Sequence, residues 1–215
     1  MPSHSFALIE SLLFIPGSGY ANVRAHLERL NQSSDYFNFD YNKRKLCQKL
    51  EQFKNCLPGH EPSKVRLCLF QNGSIELTAT SAYQSKAHYT VKRLVFSAEA
   101  TDAKNIFYFH KTTNRALYNR EYQRFCIDKD YYEVLFCNQQ GFLTEGSRTN
   151  VFLKLPHDQR IYTPKLELGL LNGIMRARLL RLPYVKEACL TREHVYQAEK
   201  IWLTNAVRGL VSVEI

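Results

Sequence analysis

Two groups in this sequence have the types and surroundings that covalent and electrostatic catalysis require. Lys111 follows an aromatic-apolar run, Ile106-Phe-Tyr-Phe109, which reads as a strand, and it opens the hydroxyl-rich turn Lys111-Thr-Thr-Asn-Arg115. A lysine at a buried strand end loses solvation of its cation, so its pKa falls and a free amine becomes available to condense with a carbonyl. Glu145 opens Glu145-Gly-Ser-Arg-Thr-Asn-Val-Phe152, a carboxylate and hydroxyl residues running into an apolar strand. A carboxylate there could hold a protonated ring nitrogen and keep a cofactor ring electron-poor. Gly173-Ile-Met175 opens a helix whose first amides, those of Ile174 and Met175, suit a phosphate. Asn205, in the turn after Ile201-Trp-Leu-Thr204, could add a donor, and Arg29, on the first helix, a charge. Together these groups describe a charged cofactor with a basic ring and an anionic tail. Singly, each has an ordinary alternative: a solvated lysine, a turn acid, a helix cap, a turn amide, a surface arginine.

The elements that must position these residues follow from periodicity. Phe6 to Ile15 reads as a buried strand, interrupted by Glu10, and Pro16-Gly-Ser-Gly19 as a turn. Val23, His26-Leu27 and Leu30 have helical spacing behind a candidate N-cap, Asn22. A second helix spans about Asn42 to Cys56. Lys64 to Phe70 alternates, turns at Asn72-Gly73 and returns as Ile75 to Thr80, an antiparallel hairpin. The expectation is an α+β chain of two domains: a small N-terminal domain over 1–81, a linker over 82–88 and a larger β-rich α/β domain over 89–215. In the second domain a strand is expected over Tyr89–Ser97, a polar helix from Ala116 to about Asp128, and hairpins over Tyr132–Thr144 and Asn150–Thr163. A helix over Gly173–Leu182, a strand over Val185–Leu190, a short helix over Thr191–Ala198 and strands at Lys200–Leu203 and Leu210–Ile215 follow.

A chain of 215 residues, 45% apolar, has enough length and composition for a sizeable core. No apolar run approaches the roughly 20 residues that span a bilayer, and the N-terminus lacks a basic secretory pattern. Six cysteines without Cys-x-x-Cys or a neighbouring histidine at ligand spacing imply no metal site and read as reduced core thiols, hence a cytoplasmic protein. The net charge of +9 is scattered, without a run of five basic residues. It suits small anionic substrates and a phosphorylated cofactor, with a nucleic-acid-binding protein as the reading from another class.

The order of the motifs carries more than any one of them. His26-Leu-Glu-Arg-Leu30, Lys111-Thr-Thr-Asn-Arg115, Thr144-Glu-Gly-Ser-Arg-Thr-Asn-Val-Phe152, Tyr162-Thr-Pro164, Gly169-Leu-Leu-Asn-Gly-Ile-Met-Arg176 and Trp202-Leu-Thr-Asn-Ala-Val-Arg-Gly209 run across nearly the whole chain. In this order they resemble the fold-type-IV pyridoxal-phosphate enzymes, the class IV aminotransferase family. Within it the chain looks most like the aminodeoxychorismate lyases, in particular those fused to aminodeoxychorismate synthase component I. His110-Lys-Thr-Thr-Asn-Arg-Ala-Leu-Tyr118, Leu168-Gly-Leu-Leu-Asn-Gly173 and Phe6-Ala-Leu-Ile-Glu-Ser11 carry that likeness.

The resemblance implies pyridoxal 5'-phosphate as cofactor, bound covalently by Lys111, which also shuttles protons. It implies Glu145 at the pyridine nitrogen, Asn150 fixing the Glu145 segment, and Arg29, Ile174, Met175 and Asn205 at the phosphate. It also implies a homodimer with the site near an interface. Two departures stand out. Many members carry a further strand and an Asp-Arg…Tyr-Gly-Asp-Gly segment ahead of the Phe6 region, which often lines the substrate site. Branched-chain aminotransferases have a tyrosine five residues after the lysine, where this chain has Ala116, with Tyr118 nearby. The expected activity is release of pyruvate and 4-aminobenzoate, a folate precursor, from aminodeoxychorismate. An aminotransferase for D- or branched-chain amino acids is the alternative. The lyase substrate is an anionic amine with two carboxylates, for which Arg66, Arg115 and Arg208 are the candidate partners.

Overall fold

The computed structural model describes residues 6–82 and 91–215. The chain forms two compact units, Met1–Ala87 with His110–Asn114, and His88–Phe109 with Arg115–Ile215. The excursion His110–Asn114 belongs to the first unit although it lies well beyond the expected linker. That linker falls, apart from Ala82, outside the described residues, as do Tyr89 and Thr90 of the expected strand.

The first unit is an antiparallel sheet with two helices. Its elements are β1 (Leu8–Ile15), β2 (Gly19–Tyr20), α1 (Val23–Phe37), α2 (Lys43–Phe53), β3 (Ser63–Leu69) and β4 (Ile75–Ser81), and the strand order is β2-β1-β3-β4. The alternation in β3 buries Val65, Leu67 and Leu69 and leaves Arg66 exposed. Leu67 and Leu69 join Leu8 and Leu12 of β1, Leu27 and Leu30 of α1, and Leu46 and Leu50 of α2 in one core. The Asn42 side chain caps α2 by accepting from the Lys45 amide at 3.0 Å. Asn22 sits at the head of α1 but makes no side-chain cap, because its backbone is left-handed (φ 53°). α1 runs one and a half turns or more past the Leu30 end of the apolar pattern, to Phe37.

The second unit comprises β5 (Leu94–Phe96), α3 (Ala116–Tyr122), β6 (Glu133–Cys137), β7 (Leu143–Gly146), β8 (Asn150–Lys154), β9 (Ile161–Pro164), α4 (Ile174–Leu179), β10 (Val185–Ala188), α5 (Arg192–Gln197), β11 (Lys200–Asn205) and β12 (Gly209–Val213). Its strands make a three-stranded sheet, β5-β6-β7, and a five-stranded sheet, β10-β9-β8-β11-β12. β6 is buried on both faces. Leu135 packs with Val151, Leu153, Ile201 and Leu203 of the other sheet, whereas Val134 and Phe136 pack against Tyr118 and Cys126 on the other side. The period of two in β6 therefore sets which strand residues meet α3 and which meet the sheet.

Two expectations are corrected. Ile106–Tyr108 is a 3₁₀ turn rather than a strand, because the Asn105 side chain accepts from the Phe107 amide and starts a turn there. Cys47, Cys56 and Cys189 are exposed rather than core thiols; Cys126 and Cys137 are buried, and all are free. Among the described residues no helix is long and apolar enough to cross a membrane.

Candidate active site

Lys111 is placed by the first unit through its main chain. Its carbonyl accepts from the Ile9 amide at 2.9 Å, the Thr113 amide donates to the Ala7 carbonyl at 2.9 Å, and Leu8 bridges to Thr112. The Thr113 hydroxyl accepts from the Ala7 amide at 2.9 Å. The lysine segment is thus paired along β1 instead of ending a strand of its own.

One face of α1 lies over the same strand. His26, Arg29 and Ser33 share that face at helical i, i+3, i+7 spacing, the first two reaching Glu10 of β1 and Ser33 reaching His110. Ser33 Oγ is 2.9 Å from His110 Nδ1, and the His110 ring packs against Tyr36 and Phe37 at 4.7 and 4.8 Å between centroids. Burial pushes the His110 imidazole below its ordinary pKa.

Arg29 donates from Nε to Glu10 Oε1 at 2.9 Å and from Nη2 to Oε2 at 2.6 Å, and His26 Nδ1 donates to Glu10 Oε2 at 2.7 Å. Glu10, read from sequence only as an interruption of an apolar strand, is the anchor that orients Arg29. Burial raises the Glu10 pKa, but the Arg29 charge and the bonds from His26 and Arg29 outweigh it and hold the carboxyl at about 2. A folded pKa depressed from 4.5 to about 2 contributes stability that is full above pH 4.5 and lost as pH falls toward 2, roughly 3 kcal/mol. Denaturant unfolding of wild type and Glu10→Gln should therefore converge by about this amount between pH 5 and pH 2, wild type being the more stable at pH 5.

In the second unit Asn150 is the hub. It pairs with Thr204 across β8 and β11, and its Nδ2 donates to Glu145 Oε2 at 3.1 Å and to the Leu171 carbonyl at 2.9 Å. Glu145, 5% exposed, also accepts from the Tyr118 hydroxyl at 3.0 Å. Burial, then the Glu145 charge and hydrogen bond, push the Tyr118 hydroxyl well above its ordinary pKa, so it remains a donor. Thr204 Oγ1 is buried with no hydrogen-bond partner among the described residues. Ile174 and Met175 head α4 directly after Gly173, where a Cβ would lie 2.0 Å from Asn150 Oδ1. The Gly173 backbone (φ −63°, ψ 146°) accepts any residue, so the constraint is space alone. Gly173→Ala should displace Asn150 and loosen Glu145, destabilising the fold by the worth of one buried hydrogen bond, about 1 kcal/mol. Denaturant unfolding checks this, with Gly59→Ala, where nothing lies within 4 Å, as the control.

The loop between Glu145 and Asn150 is held by Glu133, a buried carboxylate that the sequence reading passed over. It accepts from the Ser147 hydroxyl, from the Arg148 amide at 3.3 Å and from the Thr149 hydroxyl at 3.1 Å. Its only sequence signal is a charge in the apolar run Tyr132-Glu-Val-Leu-Phe136. Asn205 closes its own turn: Oδ1 accepts from the Val207 and Arg208 amides, and Nδ2 donates to the Arg148 carbonyl at 3.3 Å. The structure thus gathers Glu145, Asn150, Ile174, Met175, Asn205, Arg115 and Arg208 in the second unit and Arg29, Arg66 and Lys111 in the first.

The description of class IV aminotransferases matches residues 7–215. The chain belongs to the class IV aminotransferase family. This is a pyridoxal-phosphate-dependent family, and the class IV chain has the fold-type-IV architecture. Over 191 residues it is 26% identical to a provisionally named aminodeoxychorismate lyase of Schizosaccharomyces pombe, covering 86% of this chain and 79% of that protein. It is 27% identical over 201 residues to the aminodeoxychorismate lyase of Saccharomyces cerevisiae, covering 75% of this chain and 54% of that one, little more than half its length. A solved structure of a provisionally named amino-acid aminotransferase from Mesorhizobium loti matches with a TM-score of 0.88 at 29% identity, over 97% of this chain and 99% of that one.

Proposed function

We propose that this class IV enzyme binds pyridoxal 5'-phosphate and acts as a 4-amino-4-deoxychorismate lyase, releasing pyruvate and 4-aminobenzoate for folate synthesis. The observation that carries the cofactor reading is Glu145: a buried carboxylate pinned by Tyr118 and Asn150, with the buried Thr204 hydroxyl, opposite Asn150 in the ladder, lacking a hydrogen-bond partner among the described residues. That donor and acceptor set fits a ring with a protonated nitrogen. Lys111 would hold the cofactor covalently. Glu145 would face its pyridine nitrogen, and Arg29, Asn205 and the amides of Ile174 and Met175 its phosphate. When bound, the cofactor withdraws electrons from the carbon that bears the substrate nitrogen.

The work of the chain's own residues follows. Lys111 Nζ takes the proton from that carbon. Departure of the enolpyruvyl oxygen breaks the ether C–O bond, and the ring becomes aromatic. Lys111 Nζ can return its proton to the enolpyruvate carbon, giving pyruvate. Atoms balance without water or an oxidant. Glu145 would face the ring nitrogen, oriented by Asn150 and Tyr118. The names of the two yeast relatives support the substrate class.

The likeness to the Mesorhizobium loti structure favours a second reading, amino transfer on an amino acid. The two separate on products. Incubated with aminodeoxychorismate and no keto acid, the loaded protein should form pyruvate and 4-aminobenzoate in equal amounts. Product formation only with an added keto acid, and no 4-aminobenzoate, would decide for transfer. We further propose a homodimer, and a reducing, cytosolic setting in keeping with free thiols.

A further inference from the structure

Three arginines meet in the second unit around the Ser147–Arg148 turn, and their donors are poorly used. Arg115, at the head of α3, donates one Nη to the Ser147 carbonyl, yet its Nε is buried with no hydrogen-bond partner among the described residues. Arg208 Nη1 is likewise buried without a hydrogen-bond partner among the described residues. Arg148 is exposed, with its Cζ over the Tyr122 ring, 3.6 Å from the centroid. The other two pack near tyrosines as well, Arg115 at 5.5 Å from Tyr118 and Arg208 at 5.7 Å from Tyr132. The Asn205 side chain joins them, donating to the Arg148 carbonyl at 3.3 Å and accepting from the Arg208 amide at 2.9 Å.

None of this is how arginines are arranged for stability alone. A buried donor without a partner is destabilising. Burial, then the Arg148 charge, lower the Arg115 pKa, while Glu145, Tyr118 and Glu133 raise it, and Tyr122 feels both Arg148 and Arg208. The nearby carboxylates act on Arg115 through their charge and accept hydrogen bonds from other donors, Glu133 from Ser147, Arg148 and Thr149 and Glu145 from Tyr118 and Asn150. No ion pair engages any of the three among the described residues. Planar guanidinium groups held against aromatic rings are preorganised to grip a carboxylate.

We infer that Arg115, Arg148 and Arg208 form a seat for a carboxylate carried by the substrate away from its reacting amine, selecting ring dicarboxylates over monocarboxylates. The identity of that ligand rests on the lyase reading; the seat itself does not. Arg66 is exposed on β3 of the first unit.

The test is calorimetric titration of the cofactor-loaded protein with isophthalate and with benzoate. Isophthalate should bind at least tenfold tighter. Arg148→Gln and Arg208→Gln should each bring the two ligands within about twofold, with the affinity for pyridoxal phosphate unchanged. Arg148→Gln decides if Arg208→Gln does not fold, since it removes only an exposed side chain. No preference in wild type, or preference retained in Arg148→Gln, overturns the seat. So does a variant that loses cofactor affinity while keeping the preference, which would make the cluster part of the phosphate site. A dicarboxylate preference in a protein that forms no 4-aminobenzoate would leave the seat standing and remove the lyase reading.

Discussion

Lys111→Ala is expected to lower kcat by about 10⁴-fold or more, because in the proposed mechanism one amine would both hold the cofactor and move the proton, and proton transfer alone is worth about 10²–10⁴-fold. The loss should come without unfolding. The segment is fastened by main-chain bonds, Ile9 amide to Lys111 carbonyl and Thr113 amide to Ala7 carbonyl, and by His110 against Tyr36, Phe37 and Ser33. None of these uses the Lys111 side chain. Steady-state kinetics with a thermal melt check both parts: turnover should vanish and the melting temperature should stay within a few degrees. A variant that keeps a tenth of wild-type turnover would place the reactive amine elsewhere.

Glu145→Gln is the second large effect. Glutamine keeps the shape but offers one acceptor and one amide where the glutamate offers two acceptors, to Tyr118 at 3.0 Å and Asn150 at 3.1 Å. One buried donor is left facing another, and the carboxylate proposed to face the ring nitrogen is gone. Loss of one preorganised electrostatic partner costs about 10²–10³-fold in kcat. The cofactor should still bind through Lys111, so kcat falls far more than KM rises. Near wild-type turnover in this variant would mean that another group partners the ring.

What the sequence could reveal follows from how far each signal reaches. The alternation Val65, Leu67, Leu69 and the Asn72-Gly73 turn are local patterns, and β3 and β4 form where they indicate. The run Ile106–Phe109 has a strand's composition, but a neighbouring side chain, Asn105, captures its backbone into a turn, a competition that composition does not register. Glu10 and Glu133 interrupt apolar strands, which in sequence looks like weakness. In the fold each is the buried acceptor for groups far along the chain: Arg29 and His26 for one, the Ser147–Thr149 turn for the other. Tyr118 and Glu145 meet only because β6 carries Phe136 under Tyr118, with ring centroids 4.7 Å apart. Motif order therefore disclosed the family, and the supports that aim each motif residue emerged only from long-range packing.

The account turns on Lys111 as the residue that carries the cofactor. Borohydride reduction of the protein loaded with pyridoxal phosphate, followed by digestion and mass spectrometry, measures this directly. The predicted result is a phosphopyridoxyl mass on the peptide containing Lys111, absent from the Lys111→Ala protein. Label on a different lysine, or none at saturating cofactor, would contradict it.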